Sequence, residues 1–114
     1  MTNLIELAAL VEKLEGPDRS VDWAIHLRDG LAGVGMYGAH PHYTASLDAA
    51  MTLVAPTCLF WCRELWDDQR KAGYAGINIY RDMTHVGETT AVAAAPALAL
   101  CAAALKARAH LEGE

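Results

Sequence analysis

The sequence has little charge and few aromatic residues: charged residues make up 20% of it and aromatic residues 7%. Its nine basic residues stand against fourteen acidic ones, and the bases form no run. Because a nucleic-acid-binding chain normally carries a basic face, direct binding to nucleic acid is disfavoured. The formal charge of −5 suits solubility or contact with a basic protein partner.

The sequence also lacks the patterns of a disulfide, zinc, secreted or membrane protein. Its three cysteines, Cys58, Cys62 and Cys101, have no CxxC spacing, so reduced thiols in a cytoplasmic protein are expected. No basic region followed by an apolar one stands at the N-terminus, which argues against a signal peptide. The longest apolar stretch, residues 91–105, is too short for a bilayer span.

Hydrophobic residues, many of them alanine, make up 54% of the 114 residues. A chain of this length can bury a core, so we expect one domain, residues 1–114, packed from small side chains. Apolar residues at helical spacing predict a first helix, capped by Asn3 and stopped at Gly16. A second helix is predicted from Ser20, as its cap, to about Asp29.

Residues 30–42 carry four glycines and one proline, which predicts a loop. The loop is longer than most connections, and such loops often carry function. Ser46 then caps a short helix that extends to about Leu53. The expected buried positions of this helix are Leu47, Ala50, Met51 and Val54.

After Pro56 the apolar spacing changes from the helical period to a period of two, which predicts strands. Strands are expected at residues 57–66, 74–81 and, less regularly, 88–93, with a polar connection at 67–73. A strong helix then begins at Pro96, which suits the first helical turn. The sequence therefore predicts an α+β domain with a small, mainly antiparallel three-stranded sheet and a long C-terminal helix.

Three stretches resemble the phage ABA-sandwich domain family: LIELAALVEKLEGPDRSVD (4–22), HYTASLDAAMTLV (42–54) and APALALCAAALKARA (95–109). The resemblance covers about two-thirds of the chain, while residues 57–92 and the glycine-rich loop are individual to it. It implies a three-layer α/β/α sandwich and a phage- or prophage-encoded accessory protein in the host cytoplasm. It implies no catalytic residues.

Two histidines, His40 and His42, stand one residue apart in an HPH stretch, a weak metal signal that a third ligand such as Asp48 or His85 would have to complete. Without an HExxH or CxxC motif the default is a solvated loop, so no metal and no cofactor are predicted. Cys62 beside Arg63 resembles an activated thiol, but its predicted buried strand position favours a core role. No catalytic set is assembled.

The glycine-rich loop GLAGVGMYG matches neither nucleotide-binding motif, GxxxxGK[ST] nor GxGxxG. A looser hypothesis remains, in which the loop and the polar residues after it line a small-ligand pocket. The candidate ligand- or partner-binding residues are Tyr37, His40, His42, Tyr43, Thr44 and Trp66.

The aromatic residues of the first strand decide between two arrangements. Alternation puts Leu59, Trp61 and Arg63 on one face and Trp66 on the other, so helices on both sides of the sheet would bury both tryptophans, as the family name implies. If one face is open, one of the two tryptophans becomes an interaction anchor. Trp23 and Phe60 are expected in the core, and the covered arrangement is favoured.

The sequence favours a non-enzymatic protein that acts by binding a host protein complex. The most concrete version is a counter-defence inhibitor of the anti-CRISPR type. The alternatives are a sponge that sequesters a small nucleotide signal and, behind it, a metal-assisted enzyme using His40 and His42. A homodimer formed through a free sheet edge stays open.

Overall fold

The computed structural model describes residues 3–28, 41–67 and 70–113. Helix α1 (Leu4–Lys13) begins at Asn3, whose side-chain oxygen accepts a hydrogen bond from the Glu6 backbone N–H at 2.8 Å. Leu7 and Val11 are buried on one face of α1, as the periodicity predicted.

Helix α2 (Arg19–Arg28) begins one residue earlier than predicted. The Asp18 carboxylate accepts hydrogen bonds from the backbone N–H groups of Ser20 (2.8 Å) and Val21 (3.1 Å). Asp18 therefore satisfies the free donors of the first turn. The prediction of Ser20 as the cap is wrong, because Ser20 is already inside the helix.

Helix α3 (Leu47–Met51) begins at Ser46, whose hydroxyl oxygen accepts from the Ala49 backbone N–H at 3.3 Å, as predicted. Its predicted buried face is only partly correct. Ala50 is fully buried, whereas Leu47 is 40% and Met51 42% exposed. Among the described elements, the short helix lies against α4 alone, so a single narrow stripe is covered.

Three strands follow: β1 (Cys58–Asp67), β2 (Arg70–Arg81) and β3 (Thr84–Ala93). They form one antiparallel sheet in the order β1-β2-β3. The sequence predicted all three strands but placed residues 70–73 and 84–87 in connections. Pairing with the neighbouring strand extends the ladder through these polar and glycine-containing stretches.

Helix α4 (Pro96–Glu112) ends at Gly113 in the left-handed conformation. It contacts all three strands on one side and both α1 and α3 on the other, so it lies between the sheet and the outer helices. Every residue from Ala97 to Leu105 is buried. The small alanine side chains let the sheet approach so closely that the Thr89 hydroxyl donates to the Ala103 carbonyl at 2.9 Å.

These observations confirm the α+β class, the three-stranded antiparallel sheet and the long C-terminal helix. Ala75, Ile77 and Ile79 of β2 are fully buried, and they form one hydrophobic core with the buried residues of α4. Within the described parts of the chain, no helix is long and apolar enough to cross a membrane.

The β2–β3 hairpin turns through Asp82 and Met83, both with positive φ (50° and 66°). Two consecutive residues of this kind match the type I′ turn, which favours glycine at the second position. Met83 is 97% exposed, so no packing offsets the cost of its conformation. We expect Met83→Gly to raise the free energy of unfolding by about 1 kcal/mol, measured by urea denaturation.

The matched control is Met83→Ala, which removes the same side chain but keeps a Cβ atom in the left-handed region. We expect this variant to lie within about 0.5 kcal/mol of the original protein. Equal stabilisation by both substitutions would show that the side chain, rather than the backbone conformation, carries the cost.

Candidate functional site

A buried polar cluster connects α2 to the segment before α3. The Asp22 carboxylate is fully buried and accepts hydrogen bonds from the Thr44 backbone N–H and hydroxyl, both at 2.8 Å. Its second oxygen accepts from the Arg19 guanidinium at 3.0 Å. The Thr44 hydroxyl oxygen also accepts from the Asp18 backbone N–H at 2.9 Å. The cluster therefore fixes the chain at Thr44 against the start of α2.

The predicted ligand-binding residues divide into three groups. Tyr37 and His40 lie outside the described residues, as does the side chain of Trp66 on β1. His42 is exposed. Tyr43 is fully buried with its hydroxyl 3.4 Å from His26 Nδ1, and Thr44 is 2% exposed within the cluster above. Tyr43 and Thr44 thus use their polar groups on the protein itself, and the ligand-binding role stays a prediction.

The residues named for metal or thiol chemistry are placed as follows. His85 lies on β3 with Nε2 3.1 Å from the side-chain oxygen of Asn78. In the described part of the chain, no three histidine, cysteine or acidic residues are grouped so that they could hold a metal ion. The thiols of Cys58 and Cys101 are buried, and that of Cys62 is half-buried. The burial of these three thiols agrees with a role as small side chains that pack in or near the core.

The sheet face opposite α4 carries large side chains. Alternation along the paired strands puts Leu59, Trp61 and Arg63 of β1 on this face, with Tyr74 of β2 and Val92 of β3 beside them. Leu59 is 64% and Val92 51% exposed. We call these five residues the open sheet face. Helices on both sides of the sheet would have covered Trp61, but no described helix does.

Stacked side chains form the centre of the open sheet face. The Trp61 and Tyr74 rings meet edge to face with centroids 4.8 Å apart. The Arg63 guanidinium lies 5.7 Å from the Trp61 ring centroid and 5.3 Å from that of Tyr74, within cation–π range. The stack holds the three side chains in a fixed geometry, which lowers the entropy cost of binding a partner.

Gly76 makes room for this stack. It pairs with Trp61 across the β1–β2 ladder, and a Cβ atom at Gly76 would stand 2.4 Å from the Trp61 ring. The indole therefore lies close against backbone that carries no side chain. A glycine in the interior of a strand commonly marks such a close approach.

Sequence reasoning found only part of this surface. The period of two in residues 57–66 predicted that Leu59, Trp61 and Arg63 share a face. The inclusion of Tyr74 and Val92 depends on the register of two strand pairs, which the local pattern does not specify. The sequence held one signal for the wider surface, the glycine within YAGINIYR, a predicted strand that follows the tryptophan-containing one.

A pocket of about 400 Å³ lies beside the open sheet face, where β1 begins and the β2–β3 hairpin turns. It is lined by Pro56, Thr57, Cys58, Leu59, Tyr80, Asp82 and Met83. The lining contains one acidic side chain and no basic one. It therefore offers no cation to bind a phosphate group.

Comparison of the chain with protein-family models, with curated proteins and with solved structures gives no match. The resemblance to the phage ABA-sandwich family stays a prediction from the sequence.

Proposed function

We propose that the chain is a non-enzymatic binding protein that contacts a protein partner through the open sheet face. The observation that carries this proposal is the exposure of Leu59 and Val92 beside the stack of Trp61, Tyr74 and Arg63. Tryptophan, tyrosine and arginine are the residues that most often dominate binding energy at protein interfaces. An exposed apolar patch of this kind is typical of an interaction site.

The geometry of the stack supports a partner with a defined chemistry. Arg63 is exposed, so its guanidinium can donate to a carboxylate or carbonyl of the partner. Leu59 on β1 and Val92 on β3 lie beside the stack, and both can pack against apolar side chains of the partner. The partner surface we propose is therefore an apolar patch that contains a hydrogen-bond acceptor.

The most concrete version of this function is a phage accessory protein that inhibits a host immune complex in the host cytoplasm. Its support is the resemblance of residues 4–22, 42–54 and 95–109 to a phage family, together with the small size and the formal charge of −5. The nucleotide-sponge alternative gains no support from the pocket at the hairpin, because that lining carries no basic side chain.

The test combines the purified chain with a panel of purified host immune complexes, CRISPR effector complexes first. We expect co-elution on gel filtration and inhibition of the target complex. Trp61→Ala should weaken binding about 30-fold, which corresponds to about 2 kcal/mol at an interface hot spot. Circular dichroism of the variant checks that its fold is retained.

The matched control is Leu10→Ala on α1, which removes an apolar side chain that is 45% exposed and lies away from the open sheet face. We expect this variant to bind within about threefold of the original chain. Binding that a folded Trp61→Ala variant leaves unchanged would overturn the proposed surface. Absence of any complex and any inhibition across the panel would overturn the counter-defence version.

A further inference from the structure

The outer edge of β1 directs backbone groups away from the sheet. The Tyr80 N–H donates to the Thr57 carbonyl at 3.2 Å, so the ladder with β2 uses the odd-numbered residues of β1. In an antiparallel pair, the residues between these direct their N–H and C=O groups to the other side. Phe60 and Cys62 therefore present donors and acceptors on the outer edge, and no described strand pairs with them there.

The opposite edge of the sheet is blocked. By the same alternation, Thr90 of β3 directs its backbone outward, and the Lys106 ammonium group donates to its carbonyl at 2.9 Å. Glu12 of α1 holds Lys106 by an ion pair of 2.9 Å, and α1 itself contacts β3. A lysine and a covering helix are two of the ways in which proteins prevent pairing at a sheet edge.

Apolar side chains are exposed on both faces of the β1 edge. Leu59 is 64% exposed on the open sheet face, and Phe60 is 38% exposed although it lies on the face that α4 covers. The expectation of Phe60 in the core is thus wrong, because α4 makes few contacts with β1 and lies mainly over β2 and β3. A long edge strand with apolar residues on both faces is a template for pairing.

We propose that β1 pairs antiparallel with β1 of a second copy of this chain, which joins two three-stranded sheets into one of six strands. A two-fold axis perpendicular to the sheet generates this arrangement and closes it as a dimer. The same axis keeps the open sheet faces of both copies on one side. The inference does not rest on the proposed function, because pairing uses backbone groups of the strand edge, although Trp61 and Arg63 of the open sheet face come to lie beside the dimer seam.

The sequence of β1 selects the register. Pairing that uses the full strand places the two-fold axis at Cys62 or at Arg63. With the axis at Arg63, two guanidinium groups lie directly opposite one another, which is destabilising. With the axis at Cys62, Arg63 of each copy lies opposite Trp61 of the other and extends the existing cation–π stack across the dimer. We infer the Cys62-centred register.

The first test measures mass against concentration by light scattering during gel filtration. We expect dimer at high protein concentration and dissociation on dilution. Cys62→Pro removes an outward N–H without removing a β1–β2 hydrogen bond, so it should weaken dimerisation at least tenfold. The matched control, Glu88→Pro, removes an outward N–H at the blocked β3 edge and should leave the dimer intact. Thermal unfolding checks that both variants are folded.

The second test reads the register. Directly opposed residues of a hydrogen-bonded antiparallel pair have Cβ atoms near the upper end of about 4.5–5.5 Å, beyond the roughly 3.5–4.5 Å of a disulfide. Ethane-1,2-diyl bismethanethiosulfonate, which links two thiols through an S–CH2–CH2–S bridge and releases one methanesulfinate per thiol, should therefore cross-link the dimer through Cys62. Cys62→Ser should abolish the cross-link, since Cys58 and Cys101 are buried.

Three outcomes would overturn the inference. A monomer at every concentration excludes the dimer, and a dimer that a folded Cys62→Pro variant leaves unchanged uses another surface. An edge dimer that the bismethanethiosulfonate does not cross-link through Cys62 excludes the inferred register. Binding of a host complex has no bearing on these readouts, so failure of the dimer and failure of the proposed function are distinguishable.

Discussion

Gly73→Ala is expected to lower the free energy of unfolding by at least about 3 kcal/mol, although it adds a single methyl group. A Cβ atom at Gly73 would stand 2.3 Å from the carbonyl carbon and oxygen of Ala95 and from the nitrogen of Pro96. These are backbone atoms at the start of α4, so no side-chain rotation relieves the contact. The strand and the helix must therefore separate. Overpacking usually costs roughly 1–3 kcal/mol, and we expect a higher cost here because backbone atoms have to move.

Thermal unfolding followed by far-ultraviolet circular dichroism measures this effect. A loss of about 3 kcal/mol corresponds to a fall in Tm of roughly 15 °C for a domain of this size. The matched control is Gly16→Ala, since a Cβ atom at Gly16 would have no atom within 4 Å. We expect the control to stay within about 0.5 kcal/mol of the original protein. A Gly73→Ala variant as stable as the control would contradict the close approach of β2 to α4.

The role of Gly73 shows which part of the fold the sequence could not predict. As a local signal, a glycine after a polar run indicates a turn, and residues 67–73 were predicted as a connection. The structure puts Gly73 inside β2, opposite Glu64 of β1 and Ala93 of β3. The glycine is required by α4, which begins more than twenty residues later, and such a requirement has no trace in the neighbouring residues.

The helices were predictable because their signals are local. Asn3 caps α1 and Ser46 caps α3, each through a side-chain hydrogen bond from the backbone N–H three residues later. Pro96 and Gly113 stand at the two ends of α4. The exception is α2, where Asp18 and Ser20 are equally good caps by residue type. The choice is made by tertiary contact, because the Asp18 backbone N–H donates to the Thr44 hydroxyl.

The candidate site was predictable to a smaller extent than the fold. Side-chain alternation within β1 is a local property and correctly grouped Leu59, Trp61 and Arg63. Whether that group is covered depends on where α4 lies, and whether Tyr74 joins it depends on register. The polar residues after the glycine-rich loop suggested a binding pocket, which stays a prediction. Among them, Thr44 bonds to Asp22, a partner distant in sequence that the local pattern does not reveal.

Asp22→Ala is expected to lower the free energy of unfolding by about 3 kcal/mol, because it removes the acceptor of three hydrogen bonds at once. The Thr44 backbone N–H would stay buried without its acceptor, and an unsatisfied buried polar group costs about 1–3 kcal/mol. The Thr44 hydroxyl would be left with its longer bond to the Asp18 carbonyl, at 3.3 Å. Arg19 would lose its ion pair with Asp22. Since the Arg19 side chain is 31% exposed, water compensates part of that loss, and the total stays near the lower limit of about 3–5 kcal/mol for a broken buried pair.

Urea denaturation of Asp22→Ala, Asp22→Asn and Asp48→Ala separates the contributions. Asparagine keeps a carbonyl oxygen for both Thr44 bonds. It faces the Arg19 guanidinium with an uncharged NH2 group, so the ion pair is lost and we expect a loss of about 1–2 kcal/mol. Asp48 is exposed in the first turn of α3, and its removal should cost at most about 1 kcal/mol through the helix dipole. From the most to the least stable, the predicted order of the variants is Asp48→Ala, Asp22→Asn, Asp22→Ala. Equal losses for Asp22→Ala and Asp48→Ala would show that the buried cluster does not hold α2 against the segment at Thr44.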